Sequence, residues 1–388
     1  MKRVILRGPF LTNSGYGVHA RQVARWAISK REWAVTVQTL PWGVTPWIID
    51  SSAESGLIGE IMKRTSPLEG VPIFDLSIQV QLPNEWDPRL ARTNIGVTAA
   101  VETDRCNPEW IDACNRMTAI VVPSAHTKKT LEMTGGTRLR VPVIVIPEAF
   151  YDEILTETSQ EFSHEFSTKF NFLVFGQLTG NNPENDRKNL FYTLKWLFEE
   201  FKDDKDVGII LKTNSGKTTK IDRLMTEKFV KQIVKETRKS DFPRVHFLHG
   251  RMSNQEMTSL MKSESVKCLI SLTRGEGYGL PILEAAAVGL PIIATGWSGH
   301  LDFLRDDFVS VDYTLIDIHP SRVDNKIFMQ GTKWAMPVES DAKRRMRKFY
   351  EKSTMPRHKA VEASKRIKAD YCFASISKIY DERLASFL

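Results

Sequence analysis

The stretch Arg274-Gly-Glu-Gly-Tyr-Gly-Leu-Pro-Ile-Leu-Glu-Ala-Ala-Ala-Val-Gly-Leu-Pro-Ile-Ile-Ala294 decides how this chain is read. Two carboxylates, Glu276 and Glu284, stand eight positions apart in it. The run Cys268-Leu-Ile-Ser-Leu272 just ahead predicts a strand. Gly277 and Gly279 permit a tight turn with positive φ. Pro281 suits the first turn of a helix, where its missing N–H costs nothing. The expected unit is a strand, a Gly-rich loop and a helix N-terminus. Bare N–H groups and the positive end of a helix dipole at such a place suit an anion. Glu276 falls in the loop. Glu284 falls about one turn into the helix and can face the same ligand.

The rest of the composition fits a large globular enzyme. A chain of 388 residues points to two domains, each able to bury its own core. Hydrophobic and charged fractions of 41% and 26% exclude a disordered chain. No apolar run approaches the roughly 18 residues of a membrane-spanning helix. The opening Met1-Lys-Arg-Val-Ile-Leu-Arg-Gly is expected to be a first strand, too short in its apolar part for a signal peptide. Four cysteines, at 106, 114, 268 and 372, show no metal spacing and predict reduced thiols in a cytoplasmic protein.

The net charge of +7 is unevenly placed. Residues 342–368 hold eleven Lys or Arg against two Glu, concentrated in Lys343-Arg-Arg-Met-Arg-Lys348 and Lys365-Arg-Ile-Lys368. Ala342, Met346, Phe349 and Tyr350 recur at helical spacing, which predicts an amphipathic helix. Its basic face is a solvated surface, or it meets an anionic polymer such as DNA, or an anionic membrane surface.

Strand and helix signals alternate along the chain. Strands are expected at 4–6, 34–40, 94–101, 118–123 and 141–146, with helices at 18–29, 108–116 and 126–133. A polar segment at 151–169 predicts the interdomain linker. A second series follows, with strands at 171–175, 207–212, 244–248, 266–272 and 291–295. Helices at 189–201, 226–239 and 254–262 and the motif helix lie between them. The pattern predicts an α/β protein with two doubly wound, Rossmann-like domains facing a cleft, ligands binding at the carboxyl ends of the strands.

Glu276 and Glu284, with Gly-Tyr-Gly-Leu-Pro between them, resemble the E-x7-E motif of family 4 glycosyltransferases, which are retaining enzymes of the GT-B fold. The resemblance covers most of the chain. Gly15-Tyr-Gly-Val-His-Ala-Arg is similar to the family's first loop, which faces the donor phosphates and the acceptor. Val101-Glu-Thr-Asp-Arg105, Ile120-Val-Val-Pro-Ser124 and Trp334-Ala-Met-Pro-Val338 are similar to one branch of the family. The resemblance implies an acceptor-side domain at 1–160, a nucleotide-sugar domain at 161–370, and a last helix, 371–388, returning to the N-terminal domain. It implies Glu276 beside the donor sugar, Glu284 on the ribose and Lys188 on the diphosphate. Gly15, Gly17, Gln177, Arg187, Lys212, Gly277, Tyr278, Gly279 and Leu280 would line the nucleotide sugar, and Glu102 would stand at the catalytic position of the N-terminal domain.

One departure bears on the chemistry. The family pairs its diphosphate lysine with an arginine at the end of the first C-terminal strand, where this chain has Gln177. A neutral amide does not replace a bidentate arginine, so Arg187 or Arg274 would have to supply the charge.

Three motifs are set aside. Asn214-Ser-Gly-Lys-Thr218 lacks the first glycine of a P-loop, since Leu211 stands there. Asp204-Lys-Asp206 lies in a polar turn. His246 and His249 lack a third zinc ligand. Trp42, Trp47, Trp86 and Trp110 are expected in core or lid.

The expected activity is transfer of a sugar from a nucleoside diphosphate sugar, most commonly UDP in this family, to an acceptor hydroxyl. No cofactor or essential metal is expected. The charge surplus and chain size resemble bacteriophage enzymes that glycosylate 5-hydroxymethylcytosine, which makes duplex DNA the first acceptor to consider. Cell-envelope glycan or glycolipid synthesis is the alternative. A nucleotide-sugar-binding protein without turnover is a third reading, motivated by Gln177.

Overall fold

The computed structural model describes residues 1–67, 73–156, 162, 164–177, 182–214, 216 and 218–388. Residues 157–161 and 163 of the expected linker lie outside the described residues, as do Ser215 and Lys217 of the P-loop-like stretch. The chain forms two compact units. The first comprises Met1–Ala149, Asn325–Met329 and Phe373–Leu388; the second comprises Phe150–Asp324 and Gln330–Cys372.

The first unit is built on six parallel strands, β1 (Lys2–Gly8), β2 (Trp33–Thr39), β3 (Phe74–Val80), β4 (Ala91–Val97), β5 (Ala119–Val122) and β6 (Val143–Val145), in the order β2-β1-β3-β4-β5-β6. Val4, Ile5, Leu6, Leu76, Ile78 and Ile95 are fully buried, as expected for strands covered by helices on both faces. β3 was not among the expected strands. Its alternate positions are Asp75, Ser77 and Gln79, which reads as a half-exposed segment. Ser77 and Gln79 are in fact buried, Ser77 donating to Asn94 Oδ1 at 2.6 Å and Gln79 to the Asp87 carbonyl at 2.7 Å. The last helix, Phe373–Leu384, belongs to this unit and stacks Tyr380 on Trp26.

The second unit repeats the plan with β7 (Phe170–Gln177), β8 (Val207–Asn214), β9 (Arg244–Leu248), β10 (Val266–Ser271), β11 (Ile292–Thr295) and β12 (Val309–Val311), all parallel, in the order β12-β11-β10-β7-β8-β9. A short antiparallel hairpin, β13 (Tyr313–Asp317) with β14 (Lys333–Pro337), is added. The helix Leu190–Glu200 buries Leu194, Trp196, Leu197 and Phe198 on this sheet. The basic run 342–368 forms two helices, Glu339–Glu351 and Thr354–Asp370. The first buries Ala342, Met346 and Phe349 in the same core, so its spacing was read correctly.

The chain passes between units at Ala149 and Phe150, ahead of the polar segment. Phe150 and Ile154 are apolar and buried in the second unit, which holds the start of that segment in place.

Candidate active site

The site is built where β10 ends. Gly279 adopts φ 100° immediately before the helix Leu280–Val288, so the left-handed turn falls on a glycine and Pro281 in the first turn. Gly277, by contrast, does not take a positive φ. Glu276 is buried at the mouth of this turn. Its backbone N–H donates to Ser298 Oγ at 2.9 Å, and its carbonyl accepts from the Gly299 N–H at 2.9 Å.

The Glu276 carboxylate meets two cations. Lys188 Nζ lies 2.6 Å from Oε1 and an Arg187 guanidinium nitrogen 3.2 Å from Oε2. Burial alone would raise this carboxyl. Lys188 and Arg187 outweigh it and hold the group at about 2, so it is ionised at neutral pH. The two cations are placed by the segment leading into Leu190–Glu200. Asp186 accepts the N–H of Leu190 at 2.8 Å and that of Lys188 at 3.2 Å. Asn189, at φ 56°, donates to the Leu272 carbonyl at 3.0 Å, and the Arg274 N–H donates to the Arg187 carbonyl at 2.9 Å. The ends of two chain segments are thus tied together, one acidic and one basic.

Arg274 is not part of this cluster. Its side chain is fully buried, 5.1 Å from the Trp334 ring, and donates to the Glu184 carbonyl. It fixes the hairpin, since the Ala335 N–H donates to the Arg274 carbonyl at 2.9 Å. Arg187 is therefore the arginine that stands with Lys188. Gln177, at the end of β7, is exposed.

Glu284 lies one turn into the motif helix and is partly exposed. Its surroundings push its carboxyl up to about 8 by desolvation, a push that partial exposure will moderate. Tyr151 is its neighbour in charge, and burial raises the phenol well above its ordinary value. Lys212, on β8, donates to the carbonyl of Gly250, which follows β9, and burial lowers its ammonium. The Tyr278 ring is buried against Phe303 at 5.3 Å, so what Tyr278 and Leu280 offer a ligand is main-chain N–H.

Sequence reasoning missed Ser298 and His300. His300 is fully buried, and burial lowers its imidazole, which is therefore neutral. Its Nε2 lies 2.8 Å from the Thr295 carbonyl, which can only accept, so Nε2 carries the proton. Nδ1 then accepts from Ser298 Oγ at 3.5 Å, and Ser298 accepts from Glu276. A polar Ser-Gly-His following a core strand was the available signal.

In the first unit, Ser14 caps the helix Gly15–Ile28 by accepting the Gly17 N–H at 3.0 Å. A Cβ on Gly17 would sit 2.1 Å from the Thr12 carbonyl oxygen, so close packing alone explains that glycine; Gly15 has open space. Tyr16 accepts from the Ala99 N–H at 3.1 Å and meets Thr98 Oγ1 at 2.9 Å. It thereby ties this loop to the segment that carries Glu102, which is half-buried. Trp42 stacks on Tyr16 with ring centres 4.0 Å apart, and Trp47 is exposed, whereas Trp86 and Trp110 are core. His19 is buried between Glu148 and Tyr380, and burial lowers it to about 4. Among the decoys, Asp204 accepts the Asp206 N–H, while His246 and His249 bond Thr168 and Asp222.

Residues 225–317, which include Glu276 and Glu284, match the family model described as glycosyl transferases group 1. The match covers about a quarter of the chain, and it makes that segment of the second unit similar to glycosyltransferases. Solved structures agree on the fold. HepE of Anabaena, in complex with UDP and glucose, is 13% identical over 100% of both chains, with a TM-score of 0.59. Sucrose-phosphate synthase from Thermosynechococcus elongatus is 11% identical over 100% of both chains, with a TM-score of 0.60. The pneumococcal O-GlcNAc transferase GtfA, in complex with UDP and GlcNAc, is 12% identical with a TM-score of 0.52; the match covers 88% of this chain and 61% of that one. The fold is GT-B. Curated protein sequences give no match.

Among the described residues, no helix is long and apolar enough to cross a membrane.

Proposed function

We propose that this enzyme moves a sugar, with retention, from a UDP-sugar to an acceptor hydroxyl. The observation that carries the reading is the Glu276–Lys188–Arg187 cluster beside a helix N-terminus at the strand ends of the second unit. The cluster holds two positive charges against one negative, and the helix adds bare N–H donors. A diphosphate there meets Lys188, Arg187 and main-chain N–H groups. The UDP bound in HepE and GtfA supports uridine as the nucleoside.

In the proposed reaction the bond between the anomeric carbon and the phosphate oxygen breaks, and the electron pair leaves with the diphosphate. Lys188 and Arg187 stabilise the charge that develops, already in place before it forms. The acceptor oxygen bonds to the anomeric carbon on the face the diphosphate leaves, and its proton passes to a departing phosphate oxygen. Glu276, ionised and anchored through Ser298, accepts hydrogen bonds from donor sugar hydroxyls. Glu284 accepts from the ribose. None of these steps uses a metal.

The acceptor expected from charge was duplex DNA carrying 5-hydroxymethylcytosine. Its electrostatic ground is smaller than the sequence suggests. Lys343 pairs with Glu199 and Glu339, Arg344 and Arg345 with Asp341, and Arg347 with Glu200. The loop Pro41–Ile49, by contrast, carries no charge; it leaves Trp47 exposed and stacks Trp42 on Tyr16. Such rings suit the apolar faces of sugars, so a glycan hydroxyl is the better acceptor. The test is turnover of UDP-sugars against glycan acceptors and against hydroxymethylated duplex DNA. Product on DNA alone would reverse the acceptor choice. UDP-sugar binding without turnover on any acceptor would favour a binding protein.

A further inference from the structure

The second unit holds a pocket of about 730 Å³ that the donor site does not use. It falls within the roughly 300–1,000 Å³ range of small-molecule sites. β11 and β12 begin there, with Ile292 and Val309 in its wall. Glu276 follows the far end of β10, and these strands run parallel. Pocket and donor site therefore lie at opposite ends of the sheet.

The wall is apolar. Ile292, Phe308, Val309, Phe349 and Met355 line it, and Met355 stays 66% exposed. The rim is basic. Lys348, Lys352 and Lys359 stand on it with Arg345. Arg345 is held by Asp341 at 3.2 Å. Among the described residues, the three lysines have no carboxylate partner, unlike Lys343, Arg344 and Arg347 on the helix Glu339–Glu351. Two carboxylates also line the pocket. Asp307 is taken by Arg366 at 3.0 Å, and Glu351 is exposed. The unpaired lysines thus outnumber the one unpaired carboxylate. Part of the charge surplus in the basic run therefore surrounds an apolar concavity.

We propose that this pocket binds an anionic amphiphile, a hydrocarbon chain that ends in a phosphate or carboxylate. The chain lies on Val309, Phe349 and Met355, removing apolar surface from water. The head sits among Lys348, Lys352 and Lys359, which are long enough to bury their stems on the same chain.

Dodecyl phosphate below its micelle concentration is the probe, titrated by calorimetry into the full chain. Dodecyl maltoside, with the same chain and a neutral head, and inorganic phosphate, a head without a chain, should each bind at least tenfold more weakly. The double variant Lys348→Glu/Lys352→Glu should lose about tenfold or more of the dodecyl phosphate affinity, at roughly 1 kcal/mol per lysine at an anionic surface. Met355→Asp should lose affinity comparably. All three positions are exposed, so folding is retained and is checked by circular dichroism. Equal binding of dodecyl maltoside, or unchanged affinity in both variants, would overturn the proposal. Vesicles separate the sources. Sedimentation with phosphatidylglycerol but not phosphatidylcholine vesicles assigns the amphiphile to a bilayer; dodecyl phosphate binding without sedimentation assigns it to a free molecule.

Discussion

Lys188 donates to Glu276 across 2.6 Å, although the two residues stand 88 positions apart and leave the ends of different segments of the second unit. Neither charge is solvated as a free surface group would be. Glu276 holds the lysine where a diphosphate would need it, and the lysine keeps the carboxylate ionised. The lysine ammonium has three N–H donors, so Lys188 can hold Glu276 with one and still donate to a phosphate with another.

Lys188→Ala should lower kcat by about 10²–10³, the loss typical of one preorganised donor to developing charge. Arg187→Gln should act in the same direction. Gln177→Ala should change kcat/KM little, since Arg187 already stands with Lys188. Steady-state kinetics on the three variants decides the point. A Gln177→Ala enzyme as impaired as Arg187→Gln would return the diphosphate role to the end of β7.

Glu284 gives a pH signature. Desolvation pushes its carboxyl above the ordinary carboxylate range, partial exposure limiting the push, so a growing fraction is neutral as pH falls below about 8. Ribose hydroxyls bind the charged form better, as donors to a carboxylate. UDP-sugar affinity should therefore rise from pH 6 toward 8 and then level. Glu284→Gln should abolish that rise and cost ~1.5–3 kcal/mol at pH 8, the usual worth of a charged hydrogen bond. Calorimetry from pH 6 to 8.5 is the measurement, and a flat profile in the parent enzyme counts against the ribose role.

Glu276 acts in the opposite sense on stability. Its folded value of about 2 lies below the ordinary 4.5. The stabilisation is present above pH 4.5 and is lost as pH falls toward 2. The full linkage for such a shift is on the order of 3 kcal/mol. Thermal unfolding from pH 6 to 3 should fall less steeply in Glu276→Gln than in the parent. Identical slopes would mean that the Lys188 and Arg187 contacts contribute nothing in solution.

Much of this was legible because periodicity and the Glu276–Glu284 spacing are local. The strand and helix alternation, the Gly279 turn and the buried Ala342–Met346–Phe349 stripe all lie within one element or its cap. What escaped depends on partners distant in sequence. β3 looked too polar because Asn94 and Asp87, which satisfy Ser77 and Gln79, are supplied by its neighbours. Arg187 and Arg274 are alike as residues, and only burial under Trp334 removes Arg274 from the site. The basic helix looked unpaired because Glu199 and Glu200 lie 144 and 147 positions from the cations they hold.

Metal independence is a separate prediction. Transition-state charge is assigned to Lys188, Arg187 and helix N–H groups. Turnover should therefore persist in excess EDTA, within about twofold of the untreated rate. Activity that vanishes with chelation and returns with Mg²⁺ or Mn²⁺ would remove Lys188 and Arg187 from the principal electrostatic role.

The last prediction separates a glycan acceptor from DNA through salt. Each phosphate neutralised by Lys or Arg releases counterions, giving a log–log slope of affinity against salt near −0.9 per contact. Lys343, Arg344, Arg345 and Arg347 are already held by carboxylates of this chain. A phosphate recruiting them would have to displace those carboxylates. These four cations should therefore add little to duplex DNA affinity or to its salt slope, which rest instead on unpaired lysines such as Lys348 and Lys352. Reversing Lys343 and Arg347 to Glu should leave that slope unchanged. The same reversal should lower the melting temperature, because both cations link the helix Glu339–Glu351 to Leu190–Glu200. The loss should be modest, since partly exposed pairs contribute only about 0–1 kcal/mol each. Filter binding from 20 to 200 mM salt reads the first outcome and thermal unfolding the second. A steep slope that the reversal flattens would restore DNA as the acceptor and leave the UDP-sugar assignment intact.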